Sequence, residues 1–302
     1  MSAAITYSQY GGPEVLSLSS ADIPQPGPGQ VRIRVRAVSV NPIDVKIRSG
    51  MMDGIIPVQF PVLPGWDVTG VVEAAGDGAG AAVGDEVFGL ASAGGYSEFA
   101  LLDHPVAKPA RLSFQDAAAV ITVGEAAFRV LKHLGLKAGQ TLLILGAGGS
   151  VGTIAVQLAA ARGITVIGTA AEGDIERLTR LGAIAVRYGD GWTDRVHTAA
   201  PGGVDAVFDT AGAGLLQDAI AVAGDPARVI TIADNHFADH GVRFSGQDPA
   251  DRAPEALPEL AALMADGRLT VPVWRSYPLA HAAAAHADLA AGRNHGKIIL
   301  LP

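Results

Sequence analysis

Residues Thr141 to Ala171 read TLLILGAGGSVGTIAVQLAAARGITVIGTAA. Thr141–Leu145 is an apolar run of strand length, and Gly146 to Gly152 follow as GAGGSVG. Thr153–Arg162 then carries a helical pattern, and Thr165–Thr169 is a second apolar run. Strand, glycine turn, helix and strand make one βαβ unit of about 30 residues, the size of half a dinucleotide-binding domain. Within the turn, Ala147-x-Gly149-x-x-Gly152 fits G-x-G-x-x-G with alanine in the first place. Gly149 lets backbone approach a pyrophosphate, Gly152 lets the helix press on the strand, and the N–H groups near Ser150 and Val151 face the anion. With 38 glycines in the chain, a bare glycine pattern arises by chance; the flanking strand, helix and strand give this one its meaning. The candidate coenzyme residues of the unit are Gly146, Gly149, Ser150, Val151, Gly152 and, at the end of its second strand, Thr169.

The stretch 138–161 carries no charge and is long enough to cross a bilayer. Four glycines crowd its middle, however, and a glycine turn in lipid would leave backbone groups unpaired, so no membrane partner is expected. Downstream, a helix is predicted over Ile175–Leu181, with strands at Ala185–Tyr188, Ala206–Asp209 and Val229–Ile232. This alternation predicts a doubly wound parallel sheet, an α/β fold. A helix at Pro254–Ala265, an alanine-rich helix at Leu279–Ala291 and a terminal strand at Gly296–Leu300 follow; local pattern alone cannot place that strand.

Upstream, Ser113 and Asp116 form a capping signal before an apolar helix, and a second helix is predicted over Glu125–Leu134. Residues 1–105 read as short strands with Gly/Pro punctuation, which predicts a small barrel-like β domain. Val31–Ala37 alternates apolar residues with Arg32, Arg34 and Arg36, a half-buried strand with its arginines in water. Asn41-Pro42-Ile43-Asp44 reads as a polar turn after that strand.

At 302 residues, the length suggests two domains. A net charge of −8 argues against a nucleic-acid partner. The absence of cysteine excludes disulfides and thiolate metal sites. The opening MSAAITYSQYGG has no basic segment followed by an apolar core, so a cytoplasmic location is expected.

Taken in order, several motifs resemble the zinc-free quinone oxidoreductases of the medium-chain dehydrogenase/reductase family, the zeta-crystallin-like branch. They are Gly-Gly-Pro-Glu-Val-Leu (11–16), Val40-Asn41-Pro42-Ile43-Asp44, Pro64-Gly65-Trp66-Asp67-Val68-Thr69-Gly70, Gly84-Asp85-Glu86-Val87, Gly95-Tyr96-Ser97-Glu98-Phe99, the glycine turn, Leu181-Gly182-Ala183, Val204–Gly212, Pro278-Leu279-Ala280 and Gly296-Lys297. The resemblance implies a GroES-like catalytic domain at 1–120, completed by 270–302, and a Rossmann NAD(P)-binding domain at 121–269. It also implies a homodimer that prefers NADPH, with NADH possible.

Zinc-dependent relatives carry a cysteine where Asn41 stands and a histidine where Trp66 stands, so the zinc ligands of that type are missing here. His281 and His286 are five residues apart, off the same-face spacing of a helix, and are read as surface residues. Without zinc, reduction of an activated acceptor is easier than oxidation of an alcohol. The expected reaction is therefore hydride transfer from NADPH to a small-molecule quinone or α,β-unsaturated carbonyl (enone). Asn41 is the candidate catalytic residue: it could donate to a carbonyl oxygen, hold the nicotinamide ribose, or only stabilise its turn. Asp44 is expected to order the loop. Thr122 is a candidate nicotinamide-side contact or a helix cap, and Tyr188 matches a family aromatic near the adenosine phosphate. Ala170 stands where an NAD enzyme carries its ribose-binding acid, and the next turn reads Glu172-Gly173-Asp174 in place of a basic residue. Arg187 or Arg177 could supply the missing charge. Two other readings stay open: an enoyl-thioester or secondary-metabolism tailoring reductase, and a non-catalytic NADPH-binding redox sensor.

Overall fold

The computed structural model describes residues 1–302, except the side chain of residue 249. The chain divides into two compact units, Met1–Thr122 with Leu257–Pro302, and Val123–Ala256.

The first unit begins with β1 (Ser2–Thr6), β2 (Ser17–Ala21) and β3 (Val31–Val40), followed by α1 (Pro42–Arg48). It continues through β4 (Asp67–Ala75), β5 (Glu86–Leu90), β6 (Phe99–Leu102) and β7 (Val106–Ala107) into α2 (Phe114–Leu134). The second unit holds β8 (Thr141–Leu145), α3 (Ser150–Ala161), β9 (Thr165–Ala170), α4 (Ile175–Arg180), β10 (Ala183–Arg187) and α5 (Trp192–Ala199). After these come β11 (Ala206–Asp209), α6 (Leu216–Ala223), β12 (Val229–Thr231) and β13 (Arg243–Phe244), and with α7 (Ala256–Ala265) the chain returns to the first unit. The chain ends with β14 (Val273–Pro278), α8 (Ala282–Ala290) and β15 (Lys297–Leu301).

β3 is the spine of the first unit. It pairs antiparallel with β4, β6 and β15, in a sheet ordered β14-β15-β3-β4-β5-β7. The alternation read in the sequence holds from Val31 to Arg36 and then stops, because residues 37–40 are all buried. The change falls where β15 adds to the sheet, Leu300 opposite Val38 and Ile298 opposite Val40. The exposed arginines cover apolar surface too: the Arg34 guanidinium lies 4.6 Å from the Phe99 ring centre while bonding Glu73, so its stem stays dry and its head wet.

In the second unit six strands pair in parallel in the order β10-β9-β8-β11-β12-β13. Counted from β8, this is 3-2-1-4-5-6, the doubly wound order of dinucleotide-binding domains. The order reverses between β8 and β11, and the glycine turn leaves the sheet at that point. β8 is buried from Leu142 to Leu145, as a strand covered on both faces requires.

Four expectations need correction. The helices expected after Ser113 and at 125–134 are one helix, α2. Ser113 caps it as the sequence indicated, accepting from the Asp116 N–H at 3.1 Å. Gly124 costs about 1 kcal/mol in a helix interior, but no proline interrupts the run and Ala117 to Ile121 are fully buried. Thr122 is therefore inside a helix and is not a cap. The polar turn at 41–44 starts a helix, with Asn41 as N-cap and Pro42 in the first turn; this is the position at which proline is tolerated. His286 is not a surface residue: it is 0% exposed. His281 is the exposed N-cap of α8, whereas His286 lies inside the helix on the face that is turned inward.

Candidate functional site

The coenzyme-type site of the second unit is built on the backbone. Gly146 turns the chain out of β8 with φ +79, a conformation open to glycine and strained for other residues. The Thr169 hydroxyl accepts from the Gly146 N–H at 3.2 Å, and the Thr169 carbonyl from the Ala147 N–H at 2.9 Å. Thr169 therefore fastens the turn to β9. Gly149 is the N-cap of α3 and offers it no side-chain bond, so the first-turn N–H groups at Ser150, Val151 and Gly152 have no partner within the helix. A Cβ at Gly149 would meet only the Gly146 carbonyl, at 3.4 Å, so the space in front of those donors is open. At Gly152 a Cβ would sit 2.5 Å from Gly146 O and 2.6 Å from Ala147 Cα, so the missing side chain is what lets helix and turn touch.

This turn borders a cavity of about 790 Å3 whose lining includes Gly146, Gly149, Thr169, Ala170 and Tyr188. Unpaired N–H groups at a helix end, beside a cavity at the reversal of strand order, fit a coenzyme diphosphate. Tyr188 is 59% exposed and stands at the rim just after β10. Arg177 is committed elsewhere: its guanidinium bonds Asp174 at 2.8 Å, the Gly148 carbonyl at 2.9 Å and Thr153 Oγ1 at 3.1 Å. It ties α4 to the back of the glycine turn. Arg195, in α5, donates to the Arg187 and Gly189 carbonyls and so braces the loop that carries Tyr188.

In the first unit Asn41 lies in a buried polar cluster. Its backbone N–H donates to Asp44 Oδ2 at 2.8 Å, which orders the start of α1. Its Nδ2 donates to Asp67 Oδ2 at 2.8 Å, and its Oδ1 accepts from Lys297 Nζ at 2.5 Å. Asp67 also accepts from Thr122, at Oδ1 from its hydroxyl (2.5 Å) and at Oδ2 from its N–H (3.2 Å). Burial pushes the Asp67 carboxyl above its usual range and the Lys297 ammonium below its own, each opposed by the other's charge.

A second chain of bonds enters at Asp44. Arg48 can only donate, so the 3.4 Å contact between its Nη1 and His286 Nδ1 makes that nitrogen the acceptor. His286 Nε2 then carries the proton and faces Tyr96 Oη at 2.9 Å, and Tyr96 donates to Asp44 Oδ2 at 3.3 Å. Burial, opposed by the bond from Asn41, raises the Asp44 carboxyl to about 7, whereas burial and Arg48 lower His286 to about 3.

These two shifts act on stability with opposite sign. Unfolded, His286 takes up its proton near 6.5; folded, it does not until about pH 3. Its contribution is therefore present above the unfolded value and lost as pH falls below it, roughly 2 kcal/mol by pH 5. Asp44 holds its proton longer when folded, so its contribution fades as pH rises from the ordinary carboxylate range to about 7. His286→Gln, which keeps a donor and an acceptor but cannot titrate, should cost stability at pH 7 and about 2 kcal/mol less at pH 5. Urea unfolding of both proteins at the two pH values checks this, and an equal cost at both would refute it.

Sequence reasoning singled out Asn41 and Thr122, and the structure joins them through Asp67. It missed Lys297, Asp67, Tyr96, His286 and Arg48 as members of the cluster. Asp67 and Lys297 lie inside quoted motifs, but no spacing rule links residues so far apart in the chain. The start of α1 was findable, since Asn-Pro-x-Asp is an N-cap, a first-turn proline and a third-position acid.

A parallel sheet with an open helix end at its switch point in one unit, and a mainly antiparallel sheet in the other, are features of a nucleotide-dependent oxidoreductase of the medium-chain type. Residues 27–111 match the family model described as alcohol dehydrogenase GroES-like domain, and residues 181–300 the model described as zinc-binding dehydrogenase. Quinone oxidoreductase of Lama guanicoe is 34% identical, over 99% of this chain and 97% of that protein. The human quinone oxidoreductase is 42% identical over 173 residues, 55% of this chain and 52% of that protein, so that alignment spans about half of each. The solved structure of Escherichia coli quinone oxidoreductase complexed with NADPH superposes with a TM-score of 0.89 at 25% identity, covering 99% of this chain and 100% of that one. The chain belongs to the quinone oxidoreductase family.

The zinc of the second model's description does not fit these residues. Among the described residues no three His, Asp or Glu side chains are grouped to hold a metal ion, and there is no cysteine. At Asn41 the carboxamide oxygen accepts from the Lys297 ammonium. No helix among the described residues is long and apolar enough to cross a membrane.

Proposed function

We propose that the protein is an NADPH-dependent reductase that delivers hydride to a quinone or an α,β-unsaturated carbonyl without a metal ion. The observation that carries this reading is the unpaired N-terminus of α3 at the reversal of strand order, in a family with a member solved with NADPH. The nicotinamide, when bound, supplies the hydride. Gly146, Gly149, Ser150, Val151 and Gly152 cradle the diphosphate, with Thr169 holding the turn and Tyr188 at the adenosine rim. The second unit serves as the coenzyme domain and the first as the catalytic domain.

Asn41 is the group assigned to the substrate. Its Nδ2 has two hydrogens, and one is spent on Asp67; the other donates to the oxygen that gains charge as the acceptor is reduced. Thr122 acts through Asp67, which it orients with two hydrogen bonds. A cytoplasmic homodimer is proposed from the family resemblance, and sedimentation of the purified protein measures the assembly.

Steady-state oxidation of NADPH against panels of quinones and enones tests the function. Turnover on members of either panel is expected, with unchanged rates after dialysis against a strong chelator. Loss of rate restored by Zn2+ would contradict the metal-free reading. Tight NADPH binding without turnover on any acceptor would point to a sensor instead.

A further inference from the structure

Lys297 opens β15 and is only 3% exposed. Apart from the Asn41 oxygen, its ammonium meets the Val40 carbonyl at 3.3 Å. Burying an ammonium among carboxylates is no route to stability, since well-packed apolar residues of similar volume are often as stabilising. What the arrangement does specify is the state of one side chain. Lys297 can only donate, so it marks the end of the Asn41 amide that is oxygen. Asp67 Oδ2, which already accepts from the Thr122 N–H, faces the other end and so marks the nitrogen. A carboxamide held between the buried Lys297 ammonium and an accepting Asp67 oxygen cannot flip without losing both bonds. The cation on its oxygen draws density from the nitrogen and makes the N–H groups stronger donors.

We propose that Lys297 is a positioning residue of the reduction: it holds and polarises Asn41 so that the spare Nδ2 hydrogen meets the oxygen of the substrate. The inference rests on the assignment of Asn41 to the substrate. It adds that the donor depends on a cation delivered by the last strand of the chain, more than 250 residues away.

The test uses full-length Asn41→Ala, Lys297→Met, Lys297→Arg and the double variant Asn41→Ala/Lys297→Met. kcat and KM are measured with 1,4-benzoquinone, and the Kd for NADPH by nucleotide fluorescence. Asn41→Ala is expected to lower kcat by about 100-fold, the usual loss for an oxyanion donor. Lys297→Met should lower kcat about 10-fold and leave the Kd for NADPH within about twofold, and Lys297→Arg should recover most of the loss. In the double variant the effects should not add, since Lys297 acts only through Asn41. Wild-type kcat in Lys297→Met, or additive losses, would overturn the role of Lys297 while leaving Asn41 in place. Wild-type kcat in Asn41→Ala would instead sink the assignment beneath it. If Lys297→Met does not fold, Lys297→Gln, which removes the charge and leaves Asp67 in place, is measured instead. There a fall of similar size supports the proposal and an undiminished kcat overturns it.

Discussion

Gly149→Asp is expected to abolish NADPH binding while leaving the protein as stable as before, or slightly more so. Gly149 is the N-cap of α3, with φ −72 and ψ 168, an extended conformation open to any L-residue. A Cβ there meets nothing closer than 3.4 Å, so the substitution fits. Aspartate is also among the best N-cap residues, with a carboxylate that accepts from the second or third N–H of the helix, at Val151 or Gly152. Relative to glycine the gain is a few tenths of a kcal/mol. The carboxylate would then occupy the donors assigned to the diphosphate and repel it. A rise in Kd of at least about 100-fold is expected, equivalent to about 2.7 kcal/mol. Isothermal titration and a thermal scan on the same sample read both quantities. Retained affinity would remove the diphosphate from this helix end, and a large drop in Tm would show that the glycine was needed for folding.

Gly152→Val should lose stability as well as affinity. Its Cβ would lie 2.5 Å from a carbonyl oxygen and 2.6 Å from an α-carbon, both of the turn backbone. Neither can rotate away as a side-chain tip would. The helix must withdraw from the turn, and overpacking of this kind costs about 1–3 kcal/mol or more. A fall in Tm of several degrees is expected, at about 2–4 °C per kcal/mol for a domain of this size class. The same withdrawal displaces the N–H groups from the turn, so the Kd for NADPH should rise at least about 10-fold. Two glycines three residues apart are thus separable: one leaves room for a ligand, the other for the protein's own backbone. Normal stability and affinity in Gly152→Val would show that the contact is not needed.

Much of this was legible in the chain. The βαβ unit could be read because its signals are local: apolar runs with glycine between them allow few other folds, and β8, α3 and β9 fall where those signals put them. The glycine turn was legible for the same reason. Other boundaries were not. The pattern does not announce α5 and α6, because eight-residue helices on polar or alanine-rich stretches show little periodicity. α2 reads as two helices from local pattern, and only the burial of Ala117 to Ile121 shows the run to be continuous across Gly124.

The polar cluster around Asn41 lies at the other extreme. Residue types at Asn41 and Asp44 read as a polar turn although they also suit a helix start, and the lack of thiolate ligands could be counted. Nothing local announced that Lys297 would meet Asn41, that Thr122 would hold Asp67, or that His286 would be buried against Tyr96. Those meetings follow from β15 pairing with β3, from α2 reaching the start of β4 and from the inward turn of α8. A strand or helix records in its own residues which face is apolar, but not which partner will cover that face. Contacts between distant segments depend on the joint packing of the whole unit. For that reason the glycine turn belongs to the sequence, and the buried polar cluster around Asn41 belongs to the fold.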